Sequence, residues 1–190
     1  MQITEATVSD AERVAELAAR TFPLACPPAA PAEDIAAFVR SNLSPERFAE
    51  YVTDADRVVL LADDGTGLSG YAMLVFAEPY DPQVAAQIAH PPTVELSKIY
   101  VAPEHHGAGV AAELMAAAIR CAGERGAASV WLGTNEENRR AQRFYEKNGF
   151  ARVGIRRFRL GARLEDDFVF ERVLNGSSVS LAERADAAED

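Results

Sequence analysis

The chain has 190 residues, 48% hydrophobic and 25% charged, with a formal net charge of −10. That length suits one domain, and no apolar run approaches the ~20 residues of a membrane span. So acidic a chain is a poor partner for nucleic acid and would steer in a cationic small molecule, although solubility alone also accounts for the charge. The N-terminal "MQITEATVSDAERV" lacks the basic and apolar regions of a secretory signal, so a cytoplasmic location is expected. "MQITEAT" reads as a short strand, and Thr7 or Ser9 then caps a helix carrying Ala11, Val14, Leu17 and Ala18 on one face. Four prolines in "TFPLACPPAAPAED" force a rigid loop, a segment suited to walling a site. Two helices follow, "AEDIAAFVRSNL" and "SPERFAEYVTD", the second capped by Ser44 with Pro45 at its first helical position.

"RVVLLADDGTGLSGYAMLVFAEP" reads as two strands joined by the turn "DDGTG", and "YDPQVAAQIAHPP" as a connector with some helix. "TVELSKIYVAP" is a strand, then a helix runs to about Arg125, and "GAASVWLGT" is a buried strand. The helix "NEENRRAQRFYEKNGF" stops at Asn148-Gly149, where glycine supplies the left-handed cap. "ARVGIRRFRLG" and "DDFVFERVL" are the last strands, and residues 175–190 read as an acidic tail without a fold of their own. The expected architecture is therefore α+β: one domain over 1–174, with a mixed, mostly antiparallel, twisted sheet of about seven strands and helices on both faces. A single βαβ crossover follows the early meander, right-handed by default. Cys26 and Cys121 stand at no metal or redox spacing, and His105-His106 has no further ligand at suitable spacing, so no metal is expected.

Between the strand ending near Val101 and the next helix lies "PEHHGAGVAAELM". Gly107 to Ala112 match G-x-G-x-x-A, and Glu136 falls where a dinucleotide fold places its ribose acid. Yet five residues intervene after the strand, and only one crossover follows, too few for a dinucleotide fold. A P-loop is excluded by the missing lysine and Ser/Thr. Two readings stay open: a tight turn that needs glycine for geometry, or a helix start whose free amides and partial positive charge accept a phosphate.

This stretch resembles the loop of the GNAT N-acetyltransferases, Arg/Gln-x-x-Gly-x-Gly/Ala after a strand and a proline. "NRRAQRFYEKNGF" resembles the same family's asparagine followed by an FY-x-x-x-GF segment. The chain is also similar throughout to bacterial spermidine/spermine acetyltransferases of the PaiA kind, through "ELSKIYV", "VWLGTNEENRRAQRFYEKNGF" and "RFRLGARLEDDFVFERVL".

The resemblance implies acetyl transfer from acetyl-coenzyme A to a primary amine, without a metal. His106, Gly107, Ala108, Gly109, Val110 and Ala111 would hold the pyrophosphate, although His106 replaces the usual Arg or Gln. The strand at Ile99, Tyr100 and Val101 would bend away from its neighbour near Ser97 and pair with the pantetheine arm. An amide near Ile99 would polarise the thioester carbonyl. Asn138 would bond the arm, and Tyr145 would protonate the departing thiolate, whereas Phe144 reads as core. Glu95 is the candidate base, directly or through water, with Glu78 in reserve. Strand alternation puts Glu95, Ser97, Ile99 and Val101 on one face.

The acceptor pocket would be walled by the proline loop, the helix with Phe38 and the "FRLGARLEDD" hairpin. Glu33, Asp34, Glu78 and Asp81 are candidates to hold a polyamine, or are solvated surface charge. His90 and His105 read as loop residues. Two rival readings remain: another acceptor, such as a peptide, amino acid or antibiotic amine, and a non-catalytic acetyl-CoA sensor. A homodimer through a C-terminal edge strand is compatible with the pattern.

Overall fold

The structure is a computed structural model that describes residues 1–65, 67–161 and 163–174, with no account of the Arg163 side chain. The expected acidic tail lies outside these residues. Strands β1 (Gln2–Glu5), β2 (Arg57–Asp63), β3 (Leu68–Val75), β4 (Thr93–Val101), β5 (Ser129–Asn135), β6 (Ala151–Leu160) and β7 (Arg163–Val173) form one sheet in the order β1-β2-β3-β4-β5-β7-β6. All neighbours are antiparallel except β4 and β5.

Helices α1 (Ala11–Thr21), α2 (Ala32–Asn42) and α3 (Pro45–Thr53) precede β2, and the single turn α4 (Pro82–Ala85) precedes β4. Helix α5 (Val110–Glu124) crosses between the parallel strands β4 and β5, and α6 (Arg139–Lys147) crosses from β5 to β6 with β7 inserted between them, so there are two crossovers where one is expected from the sequence. Ser44 caps α3 as expected, its Oγ accepting the Arg47 amide at 3.3 Å. Among the described residues, no helix is long and apolar enough to cross a membrane.

Two cores sandwich the sheet. On one face α5 and α6 cover Val94, Leu96, Leu132 and Phe170. On the other, α1, α2 and α3 cover Val59, Leu61, Tyr71 and Met73. Both faces of the central strands are therefore dry, which is why β2 and β3 read as continuous apolar runs rather than alternating ones.

Two departures from regular pairing shape the centre. Strand β4 meets β5 only at Thr93–Ser129, Val94–Val130 and Glu95–Trp131, so beyond Glu95 the two strands part. On its other side β4 stays paired with β3 to Val101, but the register jumps: Leu74 faces Leu96 and Met73 faces Lys98, leaving Ser97 as a bulge. A bulge puts two residues opposite one and bends the strand.

The bulge also corrects the expected alternation. Val94, Leu96, Ile99 and Val101 all pack toward the α5 side. Tyr100 packs with the opposite core and Lys98 lies over the Tyr51 ring of that same core. Glu95, cross-strand partner of Val75, shares this second face rather than that of Ile99 and Val101. One extra residue at Ser97 flips the phase of everything after it.

Candidate active site

The parting of β4 from β5 opens a cavity of about 860 Å³. Its walls come from both faces of the sheet: Ile99, Asn138 and Tyr145 from the α5–α6 side, and Glu95, Tyr100 and Phe158 from the other. Beyond Glu95, the β4 edge that faces the gap has no partner strand. Its backbone groups stand ready to pair with an extended ligand, since an unpaired strand edge is a template for one more strand.

At the end of that edge lies the glycine loop. Gly107 and Gly109 both have φ of +86°, the left-handed region where other residues are strained. A Cβ at either would meet no atom within 4 Å, so the space before the loop is open. Gly109 is the N-cap of α5 and offers no side chain to its first turn. Among the described residues the amides of Gly107, Gly109, Val110 and Ala111 have no hydrogen-bond partner, whereas Ala108 N–H is spent on His105 C=O at 3.2 Å. Donors left free at the start of a 15-residue helix are of the kind that can accept an anion.

The preceding turn is tied down by Arg20 to Glu104 at 2.6 Å. His106 Nε2 lies 3.0 Å from the Val101 carbonyl and must be the donor there. With Nε2 so engaged, the donors that face the open space before the loop are backbone amides.

Tyr145 is packed against Phe144, Phe150 and Phe170, with ring centroids 5.6, 6.0 and 6.1 Å away. Burial, helped by the nearby Asp167 charge, raises its pKa far above the ordinary phenol value. It therefore keeps its proton at neutral pH and suits the role of acid, not of base. Asn138 is the N-cap of α6, its Oδ1 accepting the Ala141 amide at 3.0 Å. That fixes the side chain at the cavity wall and leaves its NH₂ as the outward donor.

Glu95 does not stand alone. Arg156 reaches from β6 to Glu95 at 3.4 Å and to Asp167 on β7 at 3.2 Å, so one guanidinium bridges both sides of the gap. Asp167 is 5% exposed. Burial pushes its pKa up, while Arg156 pulls it back down. The guanidinium lies flat on β5: a Cβ at Gly133 would come within 2.3 Å of Arg156 Nε, so only glycine lets it pass. The second oxygen of Glu95 makes no hydrogen bond among the described residues.

Of the four acids proposed for the acceptor, Glu78 and Asp81 reach the cavity wall, and Asp81 is engaged as the cap of α4. Glu33 is exposed on α2, and Asp34 rests against Gly161, both outside the wall. Sequence reasoning did not find Arg156, Asp167 or Lys98, all of which line the cavity. A signal existed: charged residues at strand positions, "SKIY" and "IRRFRL" against "LEDD", are costly unless they face a wet cavity or each other. Among the described residues no group of three or more His, Cys, Asp or Glu side chains is arranged to hold a metal ion.

Comparisons with known proteins agree with this geometry. Residues 12–150 match the family model described as the acetyltransferase (GNAT) family. An uncharacterized N-acetyltransferase of Mycobacterium bovis is 50% identical over 167 residues, covering 88% of this chain and 99% of the relative. One from Mycobacterium tuberculosis aligns with the same identity and coverage. Among solved structures, the PaiA N-acetyltransferase of Thermoplasma acidophilum in complex with coenzyme A superposes with a TM-score of 0.72 at 21% identity, covering 91% of this chain and 98% of that one. A ribosomal-protein-alanine N-acetyltransferase of Brucella melitensis gives 0.68 at 20% identity, covering 92% and 100%. At such identities the structural likeness speaks for the fold. With the family model spanning the glycine loop and α6, and half the sequence shared with N-acetyltransferases, this chain belongs to the GNAT acetyltransferase family, whose chemistry is acyl transfer from acetyl-CoA.

Proposed function

We propose that the protein binds acetyl-CoA along the free edge of β4, with its pyrophosphate on the amides of Gly107, Gly109, Val110 and Ala111, and transfers the acetyl group to a small primary amine. The observation that carries the reading is the conjunction of an unpaired strand edge with four free helix-start amides at its end. In this reading an amide near Ile99 bonds the thioester carbonyl and stabilises the charge that develops on its oxygen. Tyr100 and Val101 contribute backbone to the same edge, and Asn138 its NH₂.

An ammonium acceptor has no lone pair and must lose a proton first. Glu95, through its unengaged oxygen or a water held there, takes that proton. The amine attacks the acetyl carbon, the C–S bond breaks, and Tyr145 delivers its proton to the leaving thiolate.

Within the class of small primary amines the resemblance alone points to a polyamine, for which Glu78 is a carboxylate at the cavity wall; the charges deeper in the cavity decide the acceptor and are taken up below. A cytoplasmic setting and a homodimer complete the proposal. For the dimer, the outer edge of β6 is the available surface, although the Gln87 side chain already bonds both backbone groups of Ile155, at 2.6 and 3.0 Å.

Calorimetry with acetyl-CoA tests the binding half of the reading. The wild type is expected to bind, and Gly109→Val to lose at least tenfold in affinity, because φ of +86° is closed to valine. No heat with the wild type refutes the proposal. Release of coenzyme A thiol on adding amines separates a catalyst from a sensor.

A further inference from the structure

The acceptor side of the cavity is not uniformly acidic. Three cations converge on the ring of one tyrosine, Tyr51, itself 8% exposed: Arg47 at 5.4 Å, Arg57 at 5.0 Å and Lys98 at 5.5 Å from the ring centroid. Arg57 and Lys98 line the cavity. Arg57 is paired with Asp54 at 2.8 Å, and Arg47 with Glu50 on the exposed side, while the buried Arg47 Nε has no hydrogen-bond partner among the described residues.

Lys98, one of only two lysines in the chain, has no carboxylate within ion-pair distance among the described residues. Among the described residues its one side-chain hydrogen bond is to Ser97 Oγ at 3.4 Å. The carboxylate whose field reaches it, Glu95, is already bonded to Arg156. Desolvation and the neighbouring arginines bring the Lys98 pKa down to about 8. A chain with ten more carboxylates than basic groups thus has, among the described residues, a lysine without a carboxylate partner in the wall of this cavity. Crowding cations in this way is unfavourable unless an anion enters to offset it.

We propose that Lys98 and Arg57 form an anion subsite on the acceptor side, and that the acceptor is an amine that also carries a carboxylate or phosphate rather than a polycation. The inference rests on the acetyl-transfer reading. The Tyr51 ring supports both cations from behind. Glu95, held by Arg156 and assigned above to the amine's proton, is a separate group from Lys98 and Arg57, so the reacting amine and the anionic group of one molecule meet different partners. Glu78 at the rim is then a surface charge.

The test compares acceptors that differ only in the anion: lysine against cadaverine, and phosphoethanolamine against ethanolamine, by thiol release with acetyl-CoA. At least one anionic member is expected to exceed its partner by tenfold or more in kcat/KM, and which pair does so identifies the anion as carboxylate or phosphate. Lys98→Met should raise KM for that anionic acceptor by about tenfold, with acetyl-CoA affinity by calorimetry unchanged, and Lys98→Arg should restore the preference. Arg57→Met provides a second, independent variant with the same expected loss.

Preference for cadaverine or spermidine overturns the subsite, as does a Lys98→Met enzyme that loses both members of a pair equally. Failure of the underlying reading looks different: no heat with acetyl-CoA and no thiol released with any amine.

Discussion

Removing the guanidinium that spans the split sheet is the sharpest test of how this site is held. In Arg156→Met, Asp167 keeps its place at 5% exposure but loses its partner at 3.2 Å, and Glu95 loses its contact at 3.4 Å. Stranding one member of a buried pair costs about 3–5 kcal/mol. The Arg156 side chain is 21% exposed, so water softens the loss and the low end, about 3 kcal/mol, is expected. For a domain of this size that lowers Tm by roughly 6–12 °C.

The pH dependence is more diagnostic than the size. Burial already raises the Asp167 carboxyl above its ordinary value, and Arg156 opposes that rise. Without Arg156 the folded-state value climbs further. A carboxyl with a raised folded pKa stabilises the fold below its unfolded value and ceases to do so as pH rises through the folded value. The deficit of Arg156→Met relative to wild type should therefore be largest at neutral pH and shrink toward about pH 4. Adding Asp167→Asn should recover much of it at neutral pH. Thermal melts followed by circular dichroism at several pH values measure all three proteins. A deficit that does not change with pH, or one below about 1 kcal/mol, would refute the claim that Arg156 neutralises a buried carboxylate.

Gly133→Ala should reproduce part of this loss, because its Cβ would crowd the Arg156 guanidinium at 2.3 Å. The same change should cost little in an Arg156→Met background, and a double-mutant cycle measures the coupling. Tyr145→Phe should lower kcat by about 10²-fold or more, the usual range for a lost general acid. Acetyl-CoA affinity should stay within about twofold, and an unchanged kcat rejects the acid role. Lys98 gives the opposite sign to Asp167. Its folded pKa of about 8 lies below the ordinary 10.5, so between these values the unfolded chain binds more protons and stability rises with pH. Cys26, whose thiol burial pushes up to about 11, opposes that rise above pH 9, so the quantity to read is the difference: in chemical denaturation from pH 7.5 to 10, wild type should gain stability relative to Lys98→Met.

Much of the site was legible locally. Glycines at 107 and 109 announced a backbone that must turn left-handed before a helix, and both have φ of +86°. Asn138 and Tyr145, two turns apart, do meet one cavity. The bend near Ser97 is present as a bulge. What the same reasoning missed was its consequence for phase. Counting alternation through Ser97 put Glu95 with Ile99 and Val101, whereas the extra residue sends them to opposite faces.

The amino-acid pattern by itself determined the elements, the class of sheet and the left-handed glycine turn before α5, because each depends on neighbours a few positions apart: periodicity, caps and steric freedom at glycine. Tertiary structure alone decided that β7 lies between β5 and β6, and that β4 and β5 part after three pairs. Those two facts bring Arg156 from the edge strand over Gly133 to Glu95, and let Tyr145 from one face share a cavity with Lys98 and Glu95 from the other. Strand order and register are settled by long-range pairing and burial, energies to which no short stretch of chain contributes enough to be read alone.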